Sequence, residues 1–106
     1  MRGFTPDKPI PLLTPNLGEV ESAYVEKCIV SNWVAYNGPM VKEFEEKISR
    51  YTGATYCVAT NTGTSALHLS LLCLGVKHRD LVITTPFTFV SPVNTIKYVG
   101  ADPVFI

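Results

Sequence analysis

Apolar positions along the chain change period several times, and the changes mark out the elements. Val20, Ala23, Tyr24 and Cys28 recur at three- and four-residue intervals between Asn16 and Ser31, the spacing of one helical face. Asn16 is the predicted N-cap, and Glu19 and Glu21 suit the positive end of the dipole, so a first helix is predicted over residues 17–30. The turn formers of Ser31–Gly38 break the period, and Pro39 is placed to open a second helix, where its missing N–H is not needed. Val41, Phe44, Ile48 and Tyr51 follow at helical spacing, with Lys42, Glu43, Glu46 and Lys47 on the opposite face and Gly53 as the stop.

Beyond Gly53 the pattern alternates. Thr55–Thr60 is β-prone and free of charge, a turn follows around Gly63, and Ala66, Leu67, Leu69, Leu71, Leu72 and Leu74 make an apolar helix ending before Gly75. Leu81–Thr85 repeats the strand signal. Residues 87–98 are predicted to be partly helical with an interruption at Pro92, and a third strand begins at Pro103. The order is βαβαβ, which predicts an α/β fold with parallel strands, right-handed crossovers and flanking helices. The pattern stops inside an apolar strand at Ile106, and an open sheet edge is a liability. The expectation is therefore the front piece of a larger α/β protein, or a fragment completed by a partner. Pro6, Pro9, Pro11 and Pro15 predict an extended arm over residues 1–15.

Composition narrows the classes. Of 106 residues, 46% are apolar and 17% charged, as in globular proteins. Nine basic side chains balance nine acidic ones, so no net field draws nucleic acid or an anionic membrane. Residues 54–76 carry no Asp, Glu, Lys or Arg, yet the polar Thr60–Ser65 splits them below the ~20 apolar residues of a bilayer span. Cys28, Cys57 and Cys73 are odd in number and lack a C-x-x-C spacing, which argues against a disulfide framework and a zinc site. No apolar run follows the charge of the first nine residues, so no secretory signal is expected and a cytoplasmic location is.

Candidate chemistry gathers at the predicted sheet edge. In open parallel sheets ligands lie beyond the carboxyl ends of strands, where a helix N-terminus offers free N–H groups and a positive dipole end. Thr60–Ser65 is such a place: Gly63 permits close approach, and the Thr64 and Ser65 hydroxyls and first-turn amides could donate to a phosphate. An ordinary capped strand-to-helix turn is the alternative, and the segment matches neither G-x-G-x-x-G nor G-x-x-x-x-G-K-[ST]. Phe87 and Phe89 follow the second strand at the same edge, where a ring could cover a flat cofactor or fill the core. His68 reads as a packed histidine, Lys97 as a solvated surface charge, and His78, Arg79 and Asp80 as a solvated loop. Asp102 has no partner in view. None of these makes a triad, a carboxylate pair or a metal cluster.

The motifs in their order carry a resemblance. Asn37-Gly38-Pro39 with Phe44-Glu45, then Thr62-Gly63-Thr64-Ser65-Ala66-Leu67-His68-Leu69, then Pro86-Phe87-Thr88-Phe89-Val90 and Gly100-Ala101-Asp102-Pro103-Val104-Phe105, resemble the amino-terminal part of the DegT/DnrJ/EryC1/StrS family over residues 10–106. The resemblance implies an aspartate-aminotransferase-like (type I pyridoxal phosphate) fold, with residues 16–106 as an incomplete amino-terminal part of the large cofactor-binding domain. Gly63, Thr64 and Ser65 would hold the cofactor phosphate and Phe89, rather than Phe87, would stack on the pyridine ring. Tyr36 and Asn37 would border the substrate. The Schiff-base lysine and the aspartate facing the pyridine nitrogen lie later in such enzymes, so no catalytic residue is expected in this chain.

The implied activity is transfer of an amino group, from glutamate, to a keto-sugar nucleotide, as part of a longer, homodimeric enzyme. A sugar-nucleotide dehydratase of the same family, in which histidine replaces the lysine, and a non-catalytic truncated remnant are the alternatives. A flavodoxin-like phosphate-binding module would follow only from a coincidental motif order.

Overall fold

The computed structural model describes Pro11 and residues 13–106; the rest of the predicted arm lies outside the described residues. The chain divides into two units, Met1–Met40 and Val41–Ile106. The elements run α1 (Glu19–Val30), α2 (Pro39–Thr52), α3 (Gly63–Cys73), β1 (Leu81–Thr84), α4 (Ser91–Tyr98) and β2 (Asp102–Phe105).

In the first unit, α1 starts later than predicted, and Asn16 is not its cap. Gly18 is the N-cap, in extended backbone with φ −140° and ψ −160°. Its N–H donates to Glu21 Oε2 at 2.7 Å, the return arm of a capping box. Backbone N–H groups, its own and that of Gly18, hold the Glu21 carboxyl below its ordinary range. The apolar spacing of α1 is real, but none of its residues is buried.

In the second unit, α2 ends on Gly53 at φ +73°, as the glycine stop predicts. Its outer face carries Lys47–Glu43 at 2.7 Å and Arg50–Glu46 at 3.5 Å, both i,i+4. Such exposed helix pairs contribute about 0.3–0.5 kcal/mol each.

The first predicted strand does not form. Residues 56–60 run without regular structure, and the Ala59 N–H donates to Glu45 Oε1 of α2 at 2.8 Å. A strand exists only through its ladder, and here a side-chain carboxylate takes a donor that a neighbouring strand would have used. The parallel order does hold for the other two strands: β1 pairs with β2 in the register Leu81↔Asp102, Val82↔Pro103, Ile83↔Val104 and Thr84↔Phe105. The architecture is α/β, with one strand–helix–strand crossover in place of the predicted βαβαβ.

Pro92 does not interrupt a helix. It is the second residue of α4, where the missing N–H costs nothing, and the preceding Phe87–Val90 is loop. α4 packs on α3 and on both strands, and it holds the buried centre of the unit, Thr95, Ile96 and, just beyond it, Ala101. The Thr95 hydroxyl donates to the Pro92 carbonyl at 2.9 Å, so its burial leaves no unsatisfied group.

Two helices of this unit end alike. Gly75 N–H donates to Leu72 O and Val76 N–H to Leu71 O, and after α4 Gly100 N–H donates to Lys97 O and Ala101 N–H to Ile96 O. These are Schellman closures with glycine in the left-handed position. At Gly100, φ is +78° and an added Cβ would lie 3.0 Å from His78 Nδ1 and 3.4 Å from His78 Cα. The same peptide accepts the Arg79 N–H at 2.9 Å. Replacing Gly100 with alanine is expected to cost about 1–3 kcal/mol, the range for forced left-handed backbone, read as a lower denaturant midpoint at unchanged slope. At Glu45, alanine is expected to accelerate hydrogen exchange at the Ala59 amide, whereas glutamine, which keeps an acceptor oxygen, preserves its protection.

Candidate functional site

Three short segments of the second unit meet through hydrogen bonds. Asn61 and Thr62 lead into α3, Gly63, Thr64 and Ser65 form its first turn, and Ser91 opens α4. Thr62 is the N-cap, at φ −150° and ψ 156°, and its Oγ1 accepts the Ser65 N–H at 3.1 Å. The same Oγ1 lies 3.0 Å from Ser65 Oγ, and Ser65 Oγ donates to Asn61 Oδ1 at 2.9 Å. Thr60 Oγ1 closes over the turn by donating to Thr62 O at 2.9 Å. Threonine at this position is a preferred cap because a short side-chain oxygen can reach the orphan amides.

The turn is thus rigid, and it leaves donors over. Ser65 N–H is used by the cap and Ala66 N–H by Thr62 O, while the Gly63 and Thr64 N–H groups have no partner among the described residues. They stand at the positive end of α3. An added Cβ on Gly63 would meet nothing within 4 Å, so there is open space beside this first residue of the helix. Gly63 is in ordinary helical backbone, and the fold itself does not need glycine there.

Thr64 carries the link to α4. Its hydroxyl donates to Ser91 Oγ at 2.9 Å across 27 positions of sequence, with both residues half-buried. Because Ser91 follows β1 by a six-residue loop, this bond brings the start of α3 to the carboxyl-end side of β1, as the topology of parallel sheets predicts for a ligand edge. Ser91 was not singled out by the motif reading. A hydroxyl at the opening of a helix just after a strand, beside Pro92, is the signal that would have found it.

Of the predicted site residues, Gly63, Thr64 and Ser65 lie together in one helical turn. Phe89 lies in the β1–α4 loop, two residues before Ser91, and is 78% exposed; Phe87 in the same loop is 100% exposed. Neither fills the core. Tyr36 and Asn37 lie in the turn between α1 and α2, in the first unit.

The remaining polar residues are accounted for by packing and pairing. His68 meets the Tyr98 ring edge-on, with centroids 5.6 Å apart and planes at 68°, which ties α3 to α4. Lys97 and Asp102 are not the lone surface charges expected from the sequence: Lys97 Nζ bonds Asp102 Oδ1 across the turn that joins α4 to β2. The hydrogen bond from Lys97, then its charge, holds the Asp102 carboxyl below its ordinary value of 3.8. No cluster of His, Cys, Asp or Glu among the described residues suits a metal ion, and no described helix is long and apolar enough to cross a membrane.

The DegT/DnrJ/EryC1/StrS aminotransferase family matches residues 15–106, and the chain belongs to that family. It is 39% identical over 99 residues to the GDP-perosamine synthase of Escherichia coli O157:H7, covering 93% of this chain and 27% of the relative. It is 41% identical over 97 residues to the UDP-4-amino-4-deoxy-L-arabinose–oxoglutarate aminotransferase of Shewanella sediminis, covering 92% and 25%. Among solved structures, the PLP form of Spr1654 from Streptococcus pneumoniae, a proposed sugar aminotransferase, superposes with a TM-score of 0.81 at 36% identity, covering 92% of this chain and 24% of that one. The aminotransferase of Psychrobacter cryohalolentis gives 0.79 at 33% identity, covering 86% and 23%. The chain spans about a quarter of the length of the curated relatives it matches.

The Lys97–Asp102 pair has a pH signature. A depressed folded pKa means that the pair stabilises the folded chain above the unfolded carboxylate pKa, and that this is lost as pH falls through the folded value. Carboxyl-detected NMR titration is expected to place the Asp102 midpoint below 3.8, and Lys97→Met to return it toward the ordinary range.

Proposed function

We propose that this chain is part of a pyridoxal-phosphate-dependent aminotransferase acting on a nucleotide-linked keto-sugar, and that the opening of α3 binds the cofactor's phosphate. Residues 16–106 are, on this reading, part of the large cofactor-binding domain of a type I fold. The observation that carries it is the pair of amides at Gly63 and Thr64 that have no partner among the described residues, at a capped helix start with open space beside Gly63. A phosphate dianion is what such a start accepts: the N–H groups point at it and the dipole favours its charge. The kinship to enzymes named for sugar products, and to a solved PLP form, supports the choice of cofactor and substrate class.

When bound, pyridoxal phosphate supplies the electron sink that lets an amino group pass from donor to acceptor. This chain's own part is binding and orientation. The Gly63 and Thr64 amides grip the phosphate, and the Thr62 cap and the Ser65–Asn61 bond keep the turn from yielding. Phe89 has an exposed apolar ring that a flat heterocycle would cover, which removes apolar area from water on both partners. Tyr36 and Asn37 are proposed to meet the sugar nucleotide. As the family resemblance implies, the lysine that would react with the cofactor is proposed to be supplied outside this stretch; Lys97 is engaged with Asp102. Glutamate as donor and a homodimeric enzyme complete the proposal.

Gly63 provides the test. Gly63→Ala places a methyl in open space without backbone strain, so the thermal midpoint of the intact protein is expected to hold or rise slightly. Affinity for pyridoxal phosphate, followed by cofactor absorbance, is expected to fall at least about tenfold, a loss near 1.4 kcal/mol, because the methyl stands where the phosphate must approach. Unchanged affinity in a stable Gly63→Ala protein would refute phosphate binding at this turn.

A further inference from the structure

The two hydroxyls assigned to the phosphate by sequence are already committed. Each hydroxyl has one proton. Thr64 has given its proton to Ser91 Oγ, and Ser65 has given its proton to Asn61 Oδ1. Thr62 Oγ1 accepts from the Ser65 amide, which leaves its own proton for Ser65 Oγ. Following the donors around this cluster, the one hydroxyl proton that no described residue accepts is that of Ser91.

Ser91 also stands in the right place. It is the first residue of α4, so the Thr64–Ser91 bond sets the starts of two helices side by side. Pro92, next to it, offers no N–H that could compete for an anion. Ser91 lies two residues beyond Phe89, so the loop that carries the proposed ring-covering residue is anchored at its far end to the proposed phosphate turn.

We infer that Ser91 is a further phosphate-binding residue: its O–H donates to the cofactor phosphate, and the Thr64 hydroxyl acts as a positioning group by donating to Ser91 Oγ. The order of donation is Thr64 to Ser91 to phosphate, with Thr64 contributing its amide directly. A hydroxyl that accepts one hydrogen bond while donating another is polarised into a better donor. The assignment rests on the proposed function, since it presumes that the α3 turn holds a phosphate. It adds a residue from a second element to that turn.

The test compares pyridoxal phosphate with pyridoxal, which lacks the phosphate, as titrants of the intact protein, with binding read from ligand absorbance and protein fluorescence. Ser91→Ala is expected to weaken pyridoxal phosphate about tenfold or more, the scale of one hydrogen bond to a charged group, and to leave pyridoxal unchanged. Ser91→Thr, which keeps the hydroxyl, is expected to stay within about twofold of wild type. Thr64→Val should lose less than Ser91→Ala, and the double variant should bind no worse than Ser91→Ala alone, because the two hydroxyls act in series.

Unchanged pyridoxal phosphate affinity in Ser91→Ala would overturn the assignment, as would equal losses for both titrants, which mark a packing role. Additive losses in the double variant would overturn the serial order. If Ser91→Ala fails to fold by circular dichroism, the comparison of Thr64→Val with Ser91→Thr decides: a phosphate-specific loss in the first and none in the second supports the relay, and any other pattern overturns it. A wild-type protein that binds pyridoxal as tightly as pyridoxal phosphate would instead remove the phosphate reading on which this rests.

Discussion

Parallel pairing of Leu81–Thr84 with Asp102–Phe105 is the constraint from which the second unit follows. Parallel strands cannot be joined by a tight turn, so the chain must leave β1 at one end of the sheet and return to start β2 at the other. α4 is that return. Its apolar side supplies Ile96, and the Schellman closure at Gly100 turns the chain so that Ala101 is buried and Asp102 enters the ladder. The Asp102 N–H then meets Asp80 O at 2.8 Å just before β1 begins, and the Ile106 N–H meets Thr84 O at 3.1 Å where it ends. A fault at Gly100 would therefore be felt in helix, turn and sheet together.

The same crossover decides where chemistry can occur. A helix that returns from the carboxyl end of a strand begins at that end, so its unsatisfied amides collect there. α4 begins after a six-residue loop from β1, and the Thr64–Ser91 bond draws the start of α3 to the same place. Two helices from distant parts of the sequence thus present their positive ends in one region. The His68–Tyr98 ring contact, further along both helices, keeps them from splaying. The placement of the site needs no special loop; it is a consequence of connectivity plus one hydroxyl pair.

What could be read from the sequence was what backbone stereochemistry decides locally. Pro39 and Gly53 bracket α2 because a residue without an N–H belongs at a helix start and a residue without a Cβ belongs at a left-handed stop. The polar turn around Gly63 marked the start of α3, where Thr62 supplies the side-chain cap. Cap choice was less local: Asn16 has Glu19 three residues on and Gly18 has Glu21, so the capping-box spacing is present in both registers and only the observed Gly18–Glu21 bond separates them. Pro92 was ambiguous in the same way, since a proline at the second position of one helix and a proline breaking a longer helix read alike. Strand pairing was not legible at all for Thr55–Thr60, because the β propensity of a segment says nothing of whether another strand lies beside it. Lys97 and Asp102, five residues apart across a turn, match no helical or strand spacing and could only be paired in three dimensions. Ser91 carried a local signal, a hydroxyl before Pro92 at a helix start, but its partner Thr64, 27 positions away, did not.

The state of the cluster's protons bears on how an anion would be received. Amides are fixed by the helix and need no reorganisation, whereas a hydroxyl that has already found an acceptor must break that bond before it can donate elsewhere. Re-aiming Ser65 would leave Asn61 Oδ1 without its donor, and re-aiming Thr64 would break the hydrogen bond that joins the starts of α3 and α4. Each exchange gives up a neutral hydrogen bond, of about 0.5–1.5 kcal/mol net, for one to a charged group, of about 1.5–3 kcal/mol, so part of the gain is lost in the swap. Donors that are preorganised and unspent, at Gly63, Thr64 and Ser91, contribute their full interaction with an incoming charge. On the proposed reading, the arrangement separates two jobs that the sequence motif alone runs together: Thr62, Ser65 and Asn61 hold the turn in shape, and the amides with Ser91 would bind.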